Sequence, residues 1–254
     1  LAGIGIVPIL PDLYLCRDHH QGAPHFLAYL NHLVPTGGAL QFRSAHSVLH
    51  HLHRHELREA FPPEELKPFA AMKKLYRAGV YHPVGAWEGE TLVGYALLWE
   101  APQRKYVLID YLGVTAARRN GGLGAELLRL LREKFRSWDG IIVESEAPEG
   151  GQSDGIRQRR MNFYRRNGYT FLRYDCMLFG VHYRVCLCSP NGKGSEEATM
   201  AAHQALYGSQ FPGWAYRRFI QIPRDPDAPL QPKESWAEQR GLPGLEEDEK
   251  GREQ

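Results

Sequence analysis

The chain has no apolar run that approaches the roughly 18 residues needed to cross a bilayer; residues 3–10 and 93–99 are the longest candidates. No membrane-spanning helix is therefore expected. Cysteine is scarce: Cys16, Cys176, Cys186 and Cys188 are the four present, without framework spacing. That points to reduced thiols and a cytoplasmic protein, with Cys186 and Cys188 read as alternate positions of one strand. Charge of one sign is also lacking, with 31 basic and 29 acidic side chains and a net charge of +2. This is too even to argue for nucleic acid, and no aromatic-interleaved basic strand supports such a partner. His46, His50, His51, His53 and His55 cluster, but His55-Glu56-Leu57-Arg58-Glu59 lacks the second histidine of a zinc protease motif, so no metal is expected. No basic leader or small-residue cleavage site marks residues 1–38, and a signal peptide is not expected.

What is present is globular: 43% apolar and 24% charged residues in a 254-residue chain. Residues 1–38, rich in proline among apolar residues, read as an N-terminal extension outside the core. Residues 39–222 read as one folded domain. Residues 223–254 hold five prolines, five basic and nine acidic side chains, a balance of −4 against +6 elsewhere, and read as a disordered acidic tail.

Within the domain, residues 39–43 alternate as a short strand and residues 47–61 carry apolar positions at helical spacing. Pro62-Pro63-Glu64-Glu65 is expected to start a second helix reaching about Arg77. Strands follow at 82–87, 91–100 and 105–114. The last of these is apolar on both faces, as a central strand should be, and its single charge is Asp110. Leu123, Leu127, Leu128, Leu131, Phe135 and Trp138 then mark an amphipathic helix. A fifth strand is expected at 141–146, where Glu144 and Glu146 share one face. A helix at 154–167 stops on Gly168. Strands at 170–179 and 182–188, a helix at 196–207 and a final strand at 216–222 complete the reading.

Between the fourth strand and the amphipathic helix lies Arg118-Arg119-Asn120-Gly121-Gly122-Leu123-Gly124-Ala125. Glycines at a helix entrance let main-chain N–H groups converge on an anion, and the helix dipole adds to that field. The Gly-Lys-Ser/Thr of a nucleotide-hydrolase loop is absent, and a dinucleotide fingerprint should follow the first strand of a βαβ unit, whereas this loop follows an antiparallel run. The arrangement Arg119-x-x-Gly122-x-Gly124-Ala125 after Leu112-Gly113-Val114, with Phe163-Tyr164-Arg165-Arg166-Asn167-Gly168-Tyr169 some forty residues on, is similar to the GCN5-related N-acetyltransferase (GNAT) superfamily.

The resemblance implies an α/β (α+β) fold: a mixed, mostly antiparallel twisted sheet of about seven strands flanked by helices, with the fourth and fifth strands splayed to admit acetyl-CoA. It implies that the backbone of Leu112, Gly113 and Val114 meets the pantetheine and thioester. It also implies that Arg119, Asn120, Gly121, Gly122, Leu123, Gly124 and Ala125 surround the pyrophosphate. Tyr164 matches the tyrosine that protonates the leaving thiolate, and Asp110 falls where several members carry a base. Where many members have an asparagine that bonds pantetheine, this chain has Arg157, which puts that contact in question.

The chemistry agrees with a catalytic reading. An alkylamine with pKa near about 10.4 needs a base before it attacks a thioester, and a carboxylate in an apolar strand gains basicity from desolvation. Asp110 or Glu144 is the expected base and Tyr164 the acid. The acceptor, a small-molecule or peptide amine, is expected between the N-terminal helices, including the 61–65 turn, and the far side of the split sheet, with Glu64, Glu65 and Glu144 favouring a cation. A non-catalytic acyl-CoA-binding module is the competing reading. Both a monomer and a homodimer fit the sequence.

Overall fold

The computed structural model describes residues 49–88, 91–119, 121–228, 233–236 and 239, together with the backbone of residues 5–8. The expected strand at 39–43, His46 and Asn120 lie outside the described residues. The strands are β1 (Gly5–Pro8), β2 (Tyr81–Glu88), β3 (Thr91–Glu100), β4 (Tyr106–Val114), β5 (Gly140–Glu146), β6 (Thr170–Leu178), β7 (Val181–Cys188) and β8 (Ile220–Gln221). They form a sheet ordered β1-β2-β3-β4-β5-β7-β6-β8. Only β4 and β5 run parallel, so the sheet is mixed and mostly antiparallel, as the sequence implies.

The helices are α1 (residues 49–60), α2 (Phe69–Arg77), α3 (Leu123–Lys134), α4 (Asp154–Arg166), α5 (Glu196–Gly208) and α6 (Gly213–Phe219). Strands apolar on both faces demand cover on both, and the helices supply it. Leu97, Trp99, Leu108 and Ile142 face a core shared with α1, α2, α5 and α6. Ala96, Leu98, Val107, Ile141 and Val143 face a second core against α3 and α4.

Four expectations change. The second helix does not start at Pro62: Pro63–Glu65 is one tight turn, and α2 begins only after Pro68, because residues before a proline avoid the helical region. The expected strand at 216–222 is mostly α6, leaving two residues of β8. Residues 5–8, expected outside the core, pair with β2. Part of the expected disordered tail is packed: Glu234 N–H donates to the Phe179 carbonyl, and Trp236 is 4% exposed against Phe179 and Phe211.

Two features of β4 shape the site. Its pairing with β3 slips between Leu97↔Tyr111 and Leu98↔Ile109, which makes Asp110 an extra, bulged residue. The bulge reverses side-chain parity, so Ile109 belongs to the α3–α4 core while Tyr111 belongs to the opposite one. The parallel ladder to β5 also ends at Ile109↔Val143. Beyond it β4 stays with β3 and β5 with β7, so residues 110–114 and 144–146 part to leave a cleft.

Candidate active site

The cleft opens into a cavity of about 800 Å³. One half is lined by Leu112, Gly113, Val114, Thr115 and Arg119, with Ile156, Arg160 and Tyr164 of α4 opposite. Their i, i+4, i+8 spacing puts these three on a single helix face. The other half is lined by Glu56, Glu59, Phe61, Glu65, Lys67, Asp110, Tyr111, Glu144, Tyr183, Tyr207 and Trp236. Acidic and aromatic groups dominate this second half, an environment suited to a cation.

The glycine loop is built as its residue types require. Gly122 caps α3 in the left-handed conformation (φ 79°), with no side-chain acceptor for the helix amides. The first bond into α3 runs from Glu126 N–H to the Gly122 carbonyl. The amides of Leu123, Gly124 and Ala125 therefore precede the helical ladder, and no acceptor meets them among the described residues. Gly121 and Gly122 are exposed. Arg119 Nε donates back to the Val114 carbonyl at 3.4 Å, tying the loop to the end of β4. Gly113 is dictated by contact, since a Cβ there would lie 2.2 Å from the Tyr95 ring.

The three expected catalytic residues all line the one cavity, in different states. Tyr164 is buried beside Phe163 and Tyr169. Burial pushes its phenol well above the usual value, with nearby Cys186 adding to the rise and Arg160 opposing it. It remains a proton donor across the physiological range.

Asp110 is not a free carboxylate. Lys67 Nζ donates to Oδ2 at 2.6 Å and Tyr81 O–H donates to the same oxygen at 2.5 Å, with the Lys67 and Asp110 side chains 5% and 8% exposed. Lys67 also sits 4.2 Å from the Trp99 ring centroid. The desolvation argument for Asp110 assumed an apolar strand; its carboxylate instead meets a cation, Lys67.

Glu144 is the first residue of β5 beyond the parallel ladder, and its carboxylate faces the cavity with hydroxyl and imidazole partners rather than a lysine or arginine. Tyr207 O–H donates at 3.0 and 3.1 Å to its two oxygens, and His203 Nε2 lies 2.6 Å from Oε1. The Cys176 sulfur completes a group of possible metal donors within 4.8 Å. Burial raises the Cys176 thiol well above its ordinary range, with Glu144 and Asp175 adding to the rise, and the Glu144–His203 contact has hydrogen-bond length.

Glu146, on the same face of β5, is paired with Arg157, which also donates to Asp154 at 3.2 Å. Arg157 is therefore committed to carboxylates. The side chain of Glu64 lies outside the described ones. Lys67, Tyr81, His203, Tyr207 and Trp236 are site residues that sequence reasoning did not find. The i, i+4 pair His203 and Tyr207 on one helix face was a usable signal; Lys67, between a turn and a proline, offered none.

Residues 47–169 match the acetyltransferase (GNAT) family. YjbC of Bacillus subtilis (strain 168), which carries a provisional acetyltransferase name, is 31% identical over 116 residues, covering 45% of this chain. The chain spans about half (54%) of that relative's length. A Bacteroides thetaiotaomicron structure, provisionally described as a GNAT-family acetyltransferase, aligns with a TM-score of 0.48 at 22% identity, over 62% of this chain and 90% of its own. Spermidine N-acetyltransferase from Vibrio cholerae, solved with CoA and spermine, aligns with a TM-score of 0.44 at 9% identity, over 58% and 92%.

Proposed function

Because residues 47–169 carry an acetyltransferase domain of the GNAT family, we propose that the protein moves an acetyl group from acetyl-CoA to a primary amine by direct attack within a ternary complex. The observation that carries this reading is the end of the β4–β5 ladder at Ile109↔Val143, which exposes strand backbone on one lip and the Glu144 carboxylate on the other, inside one cavity with Tyr164.

The residues present fit the cosubstrate. The loop amides of Leu123, Gly124 and Ala125 have no acceptor among the described residues and lie at a helix N-terminus, the environment a diphosphate requires. Residues 112–114 run along the cavity wall, where main-chain N–H groups can meet the pantetheine amides and the thioester oxygen. Acetyl-CoA supplies the activated acyl group. A donor aimed at the oxygen on which charge develops is worth about 2.7–4 kcal/mol.

Glu144 takes the proton from the incoming ammonium. Asp110 is the weaker choice because Lys67 and Tyr81 already occupy its carboxylate; its part is to hold the β4 bulge against the 61–67 turn. Tyr164 returns a proton to the departing sulfur, the role for which a phenol that stays protonated is suited. Glu56, Glu59 and Glu65 at the acceptor end favour a cationic amine.

The test is CoA-thiol release from acetyl-CoA with a panel of n-butylamine, 1,4-diaminobutane, spermidine and a lysine-containing peptide. Glu144→Gln and Tyr164→Phe should lower turnover by about 10²-fold or more while acetyl-CoA still binds. Binding of acetyl-CoA without release from any amine would instead identify a non-catalytic acyl-CoA-binding module.

A further inference from the structure

Helix α5 lies beyond the matched segment 47–169, yet it delivers two side chains to Glu144. His203 is 0% exposed, and each of its ring nitrogens meets a polar partner: Nε2 is 2.6 Å from Glu144 Oε1, and Nδ1 is 3.3 Å from the Tyr174 hydroxyl. Tyr207, one turn further along α5, packs its ring 5.6 Å from that of His203 and donates its hydroxyl to the carboxylate. Cys176 is the remaining titratable neighbour in this group.

One arrangement of protons satisfies the whole chain. Tyr174 O–H donates to Nδ1, Nε2–H donates to Glu144 Oε1, and Tyr207 O–H donates to the carboxylate. Oε1 then receives the imidazole proton and a share of the Tyr207 proton at 3.0 Å, while Oε2 has only the other share of that proton, at 3.1 Å. The less engaged oxygen has a lone pair left for an ammonium. Rotating the carboxylate would leave a fully buried imidazole nitrogen without a partner, which is costly in a low-dielectric interior.

We propose that His203 is a positioning residue for the acetyl transfer: held by Tyr174 in the Nε2–H tautomer, it fixes the orientation of Glu144 so that one oxygen remains directed at the amine. The inference rests on the reading of Glu144 as the base. It assigns a role to α5, so the base depends on a helix that the family match does not include.

The experiment is a double-mutant cycle on the full chain, reading CoA release with the fastest amine of the panel above, together with acetyl-CoA binding by calorimetry. His203→Leu should lower kcat by about ten- to a hundredfold, as expected for a misplaced reacting group, with acetyl-CoA affinity unchanged. His203→Gln, whose amide can donate to the same oxygen, should recover part of the loss. The double variant Glu144→Gln/His203→Leu should be no slower than Glu144→Gln alone. Full activity in His203→Leu, or a loss that multiplies with that of Glu144→Gln, overturns the proposal. A fully active Glu144→Gln overturns the base assignment instead. Nitrogen-15 imidazole spectra supply a measurement free of any acceptor: the signal that disappears in His203→Gln should report the Nε2–H tautomer and shift in Glu144→Gln. A Nδ1–H tautomer, or no shift, also overturns the proposal.

Discussion

Lys67 and Asp110, 43 positions apart in the chain, meet at 2.6 Å inside the wall of the cleft, with Tyr81 O–H on the same carboxylate oxygen. Removing one member of a buried pair leaves an uncompensated charge, at a cost of about 3–5 kcal/mol, whereas replacing both with apolar groups is far milder. Lys67→Met and Asp110→Leu singly should each lower stability by that order in urea denaturation, and the double variant should regain most of the loss. Asp110→Asn should keep measurable CoA release, as the proposal of Glu144 as the base requires.

Gly113 and Gly122 are needed for different reasons, and alanine separates them. At Gly113 the new Cβ collides with the Tyr95 ring, so overpacking of about 1–3 kcal/mol should accompany a distorted β4 lip and weaker acetyl-CoA binding. At Gly122 nothing lies within 4 Å of the new Cβ, but φ is 79°, so the penalty is the left-handed backbone alone, about 1–2 kcal/mol. Urea midpoints and calorimetric titration with CoA check both.

Burial, the leading cause in each case, pushes the phenols of Tyr81, Tyr111, Tyr164 and Tyr207 above the ordinary value of 10.0. Above pH 10 the unfolded chain releases these protons while the folded chain retains them. The folded state then binds more protons than the unfolded one, so stability falls as pH rises, by about 1.4 kcal/mol per pH unit for each such tyrosine. Stability should begin to fall near pH 9, where thiols such as that of Cys176 ionise in the unfolded chain but not in the folded one, and collapse beyond pH 10. Phenolate absorbance from these residues should appear together with unfolding and not before it.

Trp236 packs between Phe179 and Phe211, lies 5.6 Å from Lys67 Nζ and lines the acidic, aromatic half of the cavity. Trp236→Ala should cost about 3–5 kcal/mol and raise KM for the amine more than for acetyl-CoA. Its indole N–H is buried without a hydrogen-bond partner among the described residues, so Trp236→Phe should cost about 1.5 kcal/mol or less. Thermal melts and two-substrate kinetics read the two effects separately.

Local rules account for what the sequence determined. Leucines at 3.6-residue spacing placed α3, the glycines before it marked the helix entrance whose amides can meet an anion, the both-faces-apolar run placed β4 at the centre, and the order of the two motifs pointed to the fold and to Tyr164. Each of these is a statement about neighbours in the chain. The tertiary structure decided which carboxylate is available. A single bulge at Asp110 reverses side-chain parity from Tyr111 on, Asp110 itself is taken by Lys67, and the end of one parallel ladder leaves Glu144 facing the cavity with partners from α5. Strand periodicity cannot register a one-residue slip against a neighbouring strand, and pairing between a carboxylate and a lysine 43 positions away is a property of packing. The same reason explains Trp236: an acidic, proline-rich composition describes the average of its segment, whereas one large indole found a gap between two phenylalanines deep enough to hold it.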